Sequence, residues 1–281
     1  MQQIAFIGGG NMASALVAGL DGLAQMHVVD LNPAALAHLA QTYGVSTAGQ
    51  IDAQVAGYAV VLLAVKPQNM REVALQLAPF LGPEQLVISI AAGIRAQDLS
   101  RWLGGHQAIV RCMPNTPALI GKGMTGMFAA SGVSDKQHVM AEAIMRAVGL
   151  TMWVEHEDLI DVVTALSGSG PAYVFYFLEA MQQAGQALGL SASQALVLAQ
   201  QTFVGATQLA LNANEPLAVL RERVTSKGGT TYAALTSMNT AGVGAAIVAA
   251  VQAAAARGHE LGEELGKESE ENREPAKGAH A

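Results

Sequence analysis

The sequence predicts an α/β protein in two parts, an N-terminal doubly wound parallel sheet followed by an all-α half. Three observations support this fold class. Short apolar runs alternate with helical patterns from residue 4 to residue 155, an order typical of parallel sheets. Only helical patterns follow from residue 156 onward. The first apolar run ends in three glycines, directly before a helical pattern.

The glycines match a nucleotide-binding fingerprint. Residues 4–7 are apolar, as expected for a strand that is buried on both faces. Gly8, Gly10 and Ala13 follow at the spacing G-x-G-x-x-A. Gly8 permits a tight turn, and Gly10 leaves room for a pyrophosphate. Ala13 lets the helix that begins at Asn11 lie close to the sheet, and the start of that helix offers amide donors to phosphate. A Rossmann-type domain is predicted, with a plain strand–turn–helix as the alternative.

An acidic residue follows the second predicted strand. The apolar run 26–29 ends in Asp30, about twenty residues past the glycines, as the fingerprint requires. A carboxylate there can accept hydrogen bonds from the adenosine ribose. It would also repel a 2′-phosphate, and residues 31–36 contain no Arg to offset it. The sequence therefore predicts that NADH is accepted, with NADPH left open as a second cofactor.

Further alternation extends the sheet. Strands are predicted at residues 58–65, 85–90, 108–113, 124–129 and 151–155. Helices are predicted at residues 33–43, 69–81 and 134–148, with a short one ending at residue 103. Asn32 and Pro33 suit the N-cap and the first turn of the helix at 33–43. Pro114 and Pro117 exclude a helix at 113–119.

Several loops are expected at the carboxyl ends of these strands. They comprise residues 8–11, 66–68, 91–93 and 113–116. Ligands of open α/β sheets bind along that edge, so the cofactor site is predicted there.

The second half is predicted to be entirely helical. Its helices span residues 158–165, 171–188, 192–211, 217–224, 231–238 and 243–265. The stretch 243–256 is apolar on nearly every face, which requires burial on all sides. We therefore expect a homodimer, or an assembly of dimers, joined through this half. The predicted domains are 1–157 and 158–266, followed by a charged, disordered tail at 267–281.

Composition excludes several classes of protein. The formal charge is −7 without a basic cluster, which argues against nucleic acid. Cys112 is the only cysteine, so we expect a reducing compartment and a buried apolar role rather than a nucleophile. The seven histidines are scattered, so no metal site is expected. With no secretion signal and no convincing membrane span, a cytoplasmic location is predicted.

Two polar, glycine-bearing loops interrupt the helical half. Residues 226–231 lead into a helix, so their amides could hold a carboxylate. The alternative is a simple turn between helices with Thr230 as N-cap. Residues 167–171 could likewise be only a helix break.

Four segments together resemble the pyrroline-5-carboxylate reductase family. They are AVKPQ (64–68), RCMPNTPA (111–118), ALSGSGPAY (165–173) and VTSKGGTT (224–231). The resemblance covers about residues 1–266 in the same order. Lys227 departs from it, because many members carry proline there.

The resemblance implies a reaction and a set of site residues. Members reduce 1-pyrroline-5-carboxylate to L-proline with NADPH or NADH, the last step of proline biosynthesis. By similarity, the pyrophosphate would lie against Gly8, Gly10, Asn11 and Met12. The nicotinamide riboside would be bordered by Ala64, Val65, Lys66, Pro67, Met113 and Asn115. The substrate carboxylate would be held by Ser226, Gly228, Gly229 and Thr230, and the Thr231 hydroxyl would bond the ring nitrogen.

The alternatives to this function are a β-hydroxyacid dehydrogenase, another imine reductase and a nucleotide-sensing protein. A β-hydroxyacid dehydrogenase would carry a lysine four residues after the second glycine of Gly168-x-Gly170, where this chain has Val174. Oxidising an alcohol requires a group that takes the hydroxyl proton, and valine cannot. A nucleotide-sensing protein would bind the cofactor without turnover.

Overall fold

The computed structural model describes residues 2–267. The predicted tail at 267–281 lies outside the described residues, apart from the backbone of Lys267. The strands are β1 Gln2–Ile7, β2 Ala24–Val29, β3 Ser46–Ala48, β4 Val60–Leu63, β5 Leu86–Ser89, β6 Ile109–Met113, β7 Gly123–Ala129 and β8 Gly149–Trp153. The helices are α1 Asn11–Gly19, α2 Pro33–Tyr43, α3 Met70–Leu77, α4 Ala96–Trp102, α5 Asp135–Arg146, α6 Leu159–Val163, α7 Gly170–Ala187, α8 Ala192–Asn212, α9 Leu217–Arg223, α10 Thr230–Thr240 and α11 Val243–Lys267.

The eight described strands form one sheet in the order β3-β2-β1-β4-β5-β6-β7-β8. Neighbours are parallel except β6 and β7, which pair antiparallel. The predicted doubly wound α/β fold is therefore confirmed, with an antiparallel pair that the apolar pattern did not reveal. The short edge strand β3 was also missed, because Ser46-Thr47-Ala48 has no apolar run.

Alternate residues of each central strand pack on opposite faces of the sheet. In β1, Ile4 and Phe6 belong to one apolar core, while Ala5 and Ile7 belong to the other. The four side chains are at most 2% exposed. Continuous apolar runs in the sequence therefore correspond to strands that are buried on both faces.

The chain divides into two compact units. Unit 1 comprises residues 2–169 together with 254–267, and unit 2 comprises residues 170–253. Helix α11 contributes its first part to unit 2 and its last part to unit 1.

The last part of α11 packs closely on the segment that follows β5. A Cβ built on Gly262 would lie 3.3 Å from Gly93 O, and one built on Gly266 would lie 2.9 Å from Asp98 Oδ2. Leu265 packs against the core that contains Leu99 and Trp102. Residues 262–266 of α11 are thus part of the core of unit 1.

Unit 2 is a group of helices with little buried surface of its own. A Cβ built on Gly185 of α7 would lie 2.7 Å from Ala195 Cβ of α8, so these two helices approach closely. Ser191 caps α8 in a capping box with Gln194. Within residues 170–253, all of which the structure describes, only Ala195 and Ala199 are buried.

Two local predictions need correction. Residues 113–119 are not an α-helix, but Thr116–Ile120 forms a 3₁₀ turn with Pro117 in its first turn, a position that proline tolerates. The segment 167–171, for which a helix break was the alternative interpretation, is mostly helical. A π-helical turn, Thr164–Gly168, includes its first two residues, and α7 begins directly after Ser169.

Candidate active site

The turn after β1 requires glycine at its first position. Gly8 has φ +106°, and a Cβ there would lie 2.7 Å from Ala64 O. The amide of Gly8 donates to Val29 O, and that of Ala64 donates to Ile7 O, each at 2.8 Å. Backbone pairing therefore places Ala64 and Val65 directly beside the glycine turn.

The start of α1 offers an open surface with amide donors. Gly10 is its N-cap in an extended conformation, and a Cβ there would meet no described atom within 4 Å. The first intrahelical bond runs from Ser14 N to Gly10 O, so earlier amides, including those of Asn11 and Met12, have no intrahelical acceptor. Ala13 is fully buried against the sheet. This arrangement fits a pyrophosphate group.

Asp30 has a structural role that the sequence did not show. Its Oδ2 accepts from Gly9 N at 2.6 Å, and its Oδ1 accepts from Asn32 N at 2.7 Å. The carboxylate thereby joins the glycine turn to the start of α2. Each oxygen keeps a further lone pair, so the predicted bond from a ribose hydroxyl is still compatible with the geometry.

Lys66 and Pro67 leave the sheet at the same edge. Strand β4 ends at Leu63, two residues earlier than predicted. Pro67 opens a 3₁₀ turn, Pro67–Asn69, of which the exposed Lys66 is the N-cap. Both residues follow a strand parallel to β1, which puts them on the edge that carries the glycine turn.

The loop after β6 is held by the side chain of Asn115. Its Nδ2 donates to Ser167 O and to Ser167 Oγ, each at 3.2 Å, and its Oδ1 accepts from Met124 N at 2.9 Å. Met113, at the end of β6, packs against Gly168, since a Cβ built on that glycine would lie 2.6 Å from Met113 Cε.

An ion pair lies two residues before the end of β6. Arg111 is 3% exposed, and its Nη1 lies 2.7 Å from Glu157 Oε1. The same oxygen accepts from Ala96 N at 2.6 Å. Because a buried charge requires a partner, an arginine within the otherwise apolar strand β6 was the sequence signal from which this ion pair could have been predicted. Cys112, next to it, is buried, and desolvation raises the pKa of its thiol. The prediction of a buried cysteine is confirmed.

The candidate substrate loop lies in unit 2. Gly228 has φ +72°, and Gly229 N donates to Ser226 O at 3.0 Å. Gly229, not Thr230, is the N-cap of α10, and no side chain caps the helix. The alternative with Thr230 as N-cap is therefore wrong. The half-buried Thr231 is the second residue of α10.

The N-terminus of α10 can bind an anion. Its first intrahelical bond runs from Ala233 N to Gly229 O at 3.1 Å, so the amides of Thr230, Thr231 and Tyr232 have no intrahelical acceptor. A Cβ on Gly229 would collide with Ser226 Oγ, which brings that hydroxyl next to the helix start. Hydroxyls, free amides and the helix dipole suit a carboxylate.

Among residues 2–267 there is no group of three or more His, Cys, Asp or Glu side chains that could hold a metal ion. In the same part of the chain, no single helix has the length and apolar character needed to cross a membrane. Helices α10 and α11 meet that test only as a pair bent by 53°.

The fold and this edge define the class of dinucleotide-dependent oxidoreductases. Residues 3–93 match the family model for coenzyme F420-dependent NADP oxidoreductases. Residues 157–261 match the model for pyrroline-5-carboxylate reductase dimerisation.

Known proteins resolve the class further. The pyrroline-5-carboxylate reductase of Pseudomonas aeruginosa is 45% identical over 249 residues, covering 87% of this chain and 91% of that protein. The solved structure of the Coxiella burnetii reductase has a TM-score of 0.86 at 40% identity and covers 92% of this chain and 98% of that one. A Plasmodium falciparum reductase solved with NADP bound gives 0.82 at 26% identity, with coverage of 93% and 98%. The chain belongs to the pyrroline-5-carboxylate reductase family.

The rival class shares only the fold. A 3-hydroxyisobutyrate dehydrogenase of Mycobacterium tuberculosis superposes with a TM-score of 0.52 at 18% identity. This likeness shows a common fold alone.

Proposed function

We propose that this chain reduces 1-pyrroline-5-carboxylate to L-proline with NAD(P)H, the last step of proline biosynthesis. The observation that carries the proposal is the start of α10, which glycine rather than a side chain caps. Its amides and the hydroxyls of Ser226 and Thr231 suit a small anionic ring that carries a hydrogen-bonding nitrogen. Membership of the family supports the same reaction.

The proposed cofactor site is the carboxyl edge of the sheet in unit 1. Gly8, Gly10 and the amides of Asn11 and Met12 bind the pyrophosphate. The nicotinamide riboside is bordered by residues 64–67 and by the Met113–Asn115 loop. The bound nicotinamide supplies a hydride, and the residues of the chain bind and orient the partners of that transfer.

The proposed substrate groups lie in the loop 226–231. Ser226, Gly228, Gly229 and Thr230 hold the carboxylate at the positive end of α10. The Thr231 hydroxyl forms a hydrogen bond with the ring nitrogen. Because a protonated imine is already electrophilic, the reaction does not require a strong general acid. This agrees with a loop in which Lys227 is the one ionisable side chain among hydroxyls and glycines.

We propose that NADH is accepted and that NADPH is a second cofactor. Asp30 disfavours a 2′-phosphate by its charge, and no Arg lies in residues 31–36. Comparison of kcat/KM for the two cofactors tests this. A hundredfold preference for NADPH would show that the charge of Asp30 does not govern the choice.

We propose a homodimer, or an assembly of dimers, joined through unit 2, which the match of residues 157–261 to the dimerisation model supports. Large apolar side chains of unit 2 are exposed in the single chain, including Phe175, Tyr176, Val204, Leu209 and Leu211. Light scattering at micromolar concentration tests the dimer, and a folded, active monomer would refute it. Location in the cytoplasm stays a prediction, which cell fractionation can check.

A spectrophotometric assay tests the function as a whole. Oxidation of NADH or NADPH is followed with 1-pyrroline-5-carboxylate. In parallel, reduction of NAD+ or NADP+ is followed with a panel of hydroxyacids. Turnover of the imine alone is expected. Preference for a hydroxyacid would favour the dehydrogenase, whereas cofactor binding without any turnover would favour the sensing protein.

A further inference from the structure

Both amide donors of the Asn115 side chain have partners within the protein. A primary amide has two N–H donors and a carbonyl oxygen with two lone pairs. Both donors of Asn115 are directed to Ser167, at the carbonyl and the hydroxyl, and the carbonyl accepts from Met124 N. These three bonds join the loop after β6 to strand β7 and to the turn at Ser167.

The turn that receives these bonds is a π-helical one. Thr164–Gly168 is π-helical and ends with a bond from Ser169 N to Thr164 O at 2.8 Å. Such turns are rare and occur frequently at functional sites. The same turn also contacts Met113, whose Cε occupies the space beside Gly168. The loop 113–115 therefore meets the π-turn twice, once through a polar pair and once through a close apolar contact.

We propose that Asn115 is a positioning residue for the nicotinamide end of the site. Its amide fixes the backbone at the end of β6, and with it Met113, by holding the loop to Ser167 and Met124. It does so without binding the cofactor through its own side chain, whose donors already have partners. The proposal deepens the proposed function, on which it rests, and gives a role to the motif at 167–171.

The chain offers a matched control at the opposite edge of the sheet. Gln85 precedes β5 and is 6% exposed. Its Nε2 donates to Val55 O at 2.9 Å and to Tyr58 O at 2.5 Å, and its Oε1 accepts from Gly82 N at 2.6 Å. Gln85 therefore has the same pattern of three bonds as Asn115, but at the amino edge, away from the proposed cofactor site.

The experiment compares Asn115→Ala, Ser167→Ala and Gln85→Ala in the full chain. The measurements are the melting temperature, the Kd of NADH, the emission of bound NADH, kcat/KM and the primary isotope effect with 4-deuterated NADH.

Misplacement by about 1 Å can cost up to roughly a hundredfold in rate. For Asn115→Ala we expect kcat to fall roughly tenfold or more, the isotope effect to rise, and the Kd of NADH to stay within about twofold. Gln85→Ala should lower the melting temperature and leave the isotope effect and the emission unchanged.

Combining substitutions shows whether Asn115 acts through Ser167. Ser167→Ala alone should cause a smaller loss than Asn115→Ala, and adding it to Asn115→Ala should change kcat little further. The emission of bound NADH should move towards that of free NADH in Asn115→Ala, a readout that does not depend on the imine as substrate. Absence of imine turnover by the wild type would refute the proposed function, and the emission would still test Asn115. A tenfold rise in Kd with unchanged kcat, or kinetics and emission like those of the wild type, would overturn the positioning role.

Discussion

The two compact units differ in how much apolar surface they bury on their own. Unit 1 covers both faces of its sheet, and Phe6, Leu62 and Leu63 are fully buried there. Unit 2 buries only Ala195 and Ala199 among residues 170–253. Burying a large aliphatic or aromatic side chain stabilises a fold by roughly 1.5–3 kcal/mol. Unit 2 lacks most of that contribution as a single chain, which is the physical argument for a partner surface.

The difference separates two uses of small residues. In unit 1, Gly8 and Gly262 permit close approach to the backbone carbonyls of Ala64 and Gly93. In unit 2, Gly185 and Ala195 bring two helices together, while the larger side chains face outward. The first unit is expected to be stable independently of protein concentration, and the second to depend on association.

The largest expected effect is on assembly. Val248 of α11 is 57% exposed in the single chain, and Leu75 of α3 in unit 1 is 51% exposed. Val248→Glu places an unpaired charge in the proposed interface, at a cost of several kcal/mol per ion. We expect the dimer dissociation constant to rise roughly a thousandfold or more, as measured by analytical ultracentrifugation. Leu75→Glu is the matched control and should leave the dimer intact. Equal behaviour of the two variants would remove α11 from the interface.

The next effect concerns the chemistry assigned to unit 2. Thr231→Ala removes a hydroxyl from the start of α10. A hydrogen bond to a charged group contributes roughly 1.5–3 kcal/mol, so kcat/KM should fall about ten- to a hundredfold. The Kd of NADH should barely change, because the proposed pyrophosphate site lies in unit 1. Thr231→Ser keeps the hydroxyl and should retain most activity.

A purely structural Thr231 would give another result. Thr231→Ala would then lower the melting temperature and leave the kinetics of the folded protein close to those of the wild type. Steady-state kinetics well below the melting temperature distinguishes these outcomes.

The corresponding change in unit 1 is Gly8→Ala. Left-handed backbone at a non-glycine residue costs roughly 1–2 kcal/mol, and the Cβ must also displace the Ala64 carbonyl. We expect NADH binding to weaken roughly tenfold without dissociation of the dimer. Gly22→Ala is the control, since Gly22 also has a positive φ, +71°, but no described atom lies within 4 Å of its Cβ position. It should lower stability without weakening NADH binding, as titration by fluorescence can show.

The smallest effect is a pH dependence confined to unit 1. His27 is buried, bonds Ser46 through Nδ1 at 2.9 Å and stacks on Tyr58. Desolvation lowers the pKa of its imidazole, against an opposing contribution from Asp52. Below the unfolded-state pKa of about 6.5, the unfolded chain binds the proton more readily. The free energy of unfolding should therefore decrease as pH falls from there towards the lowered folded-state pKa.

Chemical denaturation from pH 7.5 to 5.5 measures this. His27→Gln should flatten the dependence, whereas His38→Gln, at an exposed site on α2, should not. An unchanged slope in His27→Gln would show that another group is responsible.

Much of the fold follows from local patterns. Apolar runs predicted the central strands because those strands are buried on both faces, and Asn32 with Pro33 predicted the start of α2, where the Asn32 side chain accepts from Ala34 N and Ala35 N. The direction of β7 was not predicted, because an apolar strand carries no record of its partner's orientation. The π-turn was missed for a similar reason, since Ser167 and Gly168 indicate a break without specifying its bonding.

The site was predictable in part. Gly8 and Gly228 indicate positive φ by residue type, and both have it. The hydrogen-bond partners of Asn115 and Asp30 could not be predicted. Ser167 and Gly9 are distant from them in sequence, and the other partner of Asp30, Asn32, is also the N-cap of α2. Assignment of these residues to cofactor and substrate stays a prediction.

The close packing of Gly262, Leu265 and Gly266 on unit 1 has a consequence for synthesis on the ribosome. Residues 254–267 emerge after all of unit 2, yet they complete the core around Leu99 and Trp102. Domains near the N-terminus generally fold first during translation. In the nascent N-terminal domain, one side of that core therefore stays uncovered until residues 254–267 leave the exit tunnel.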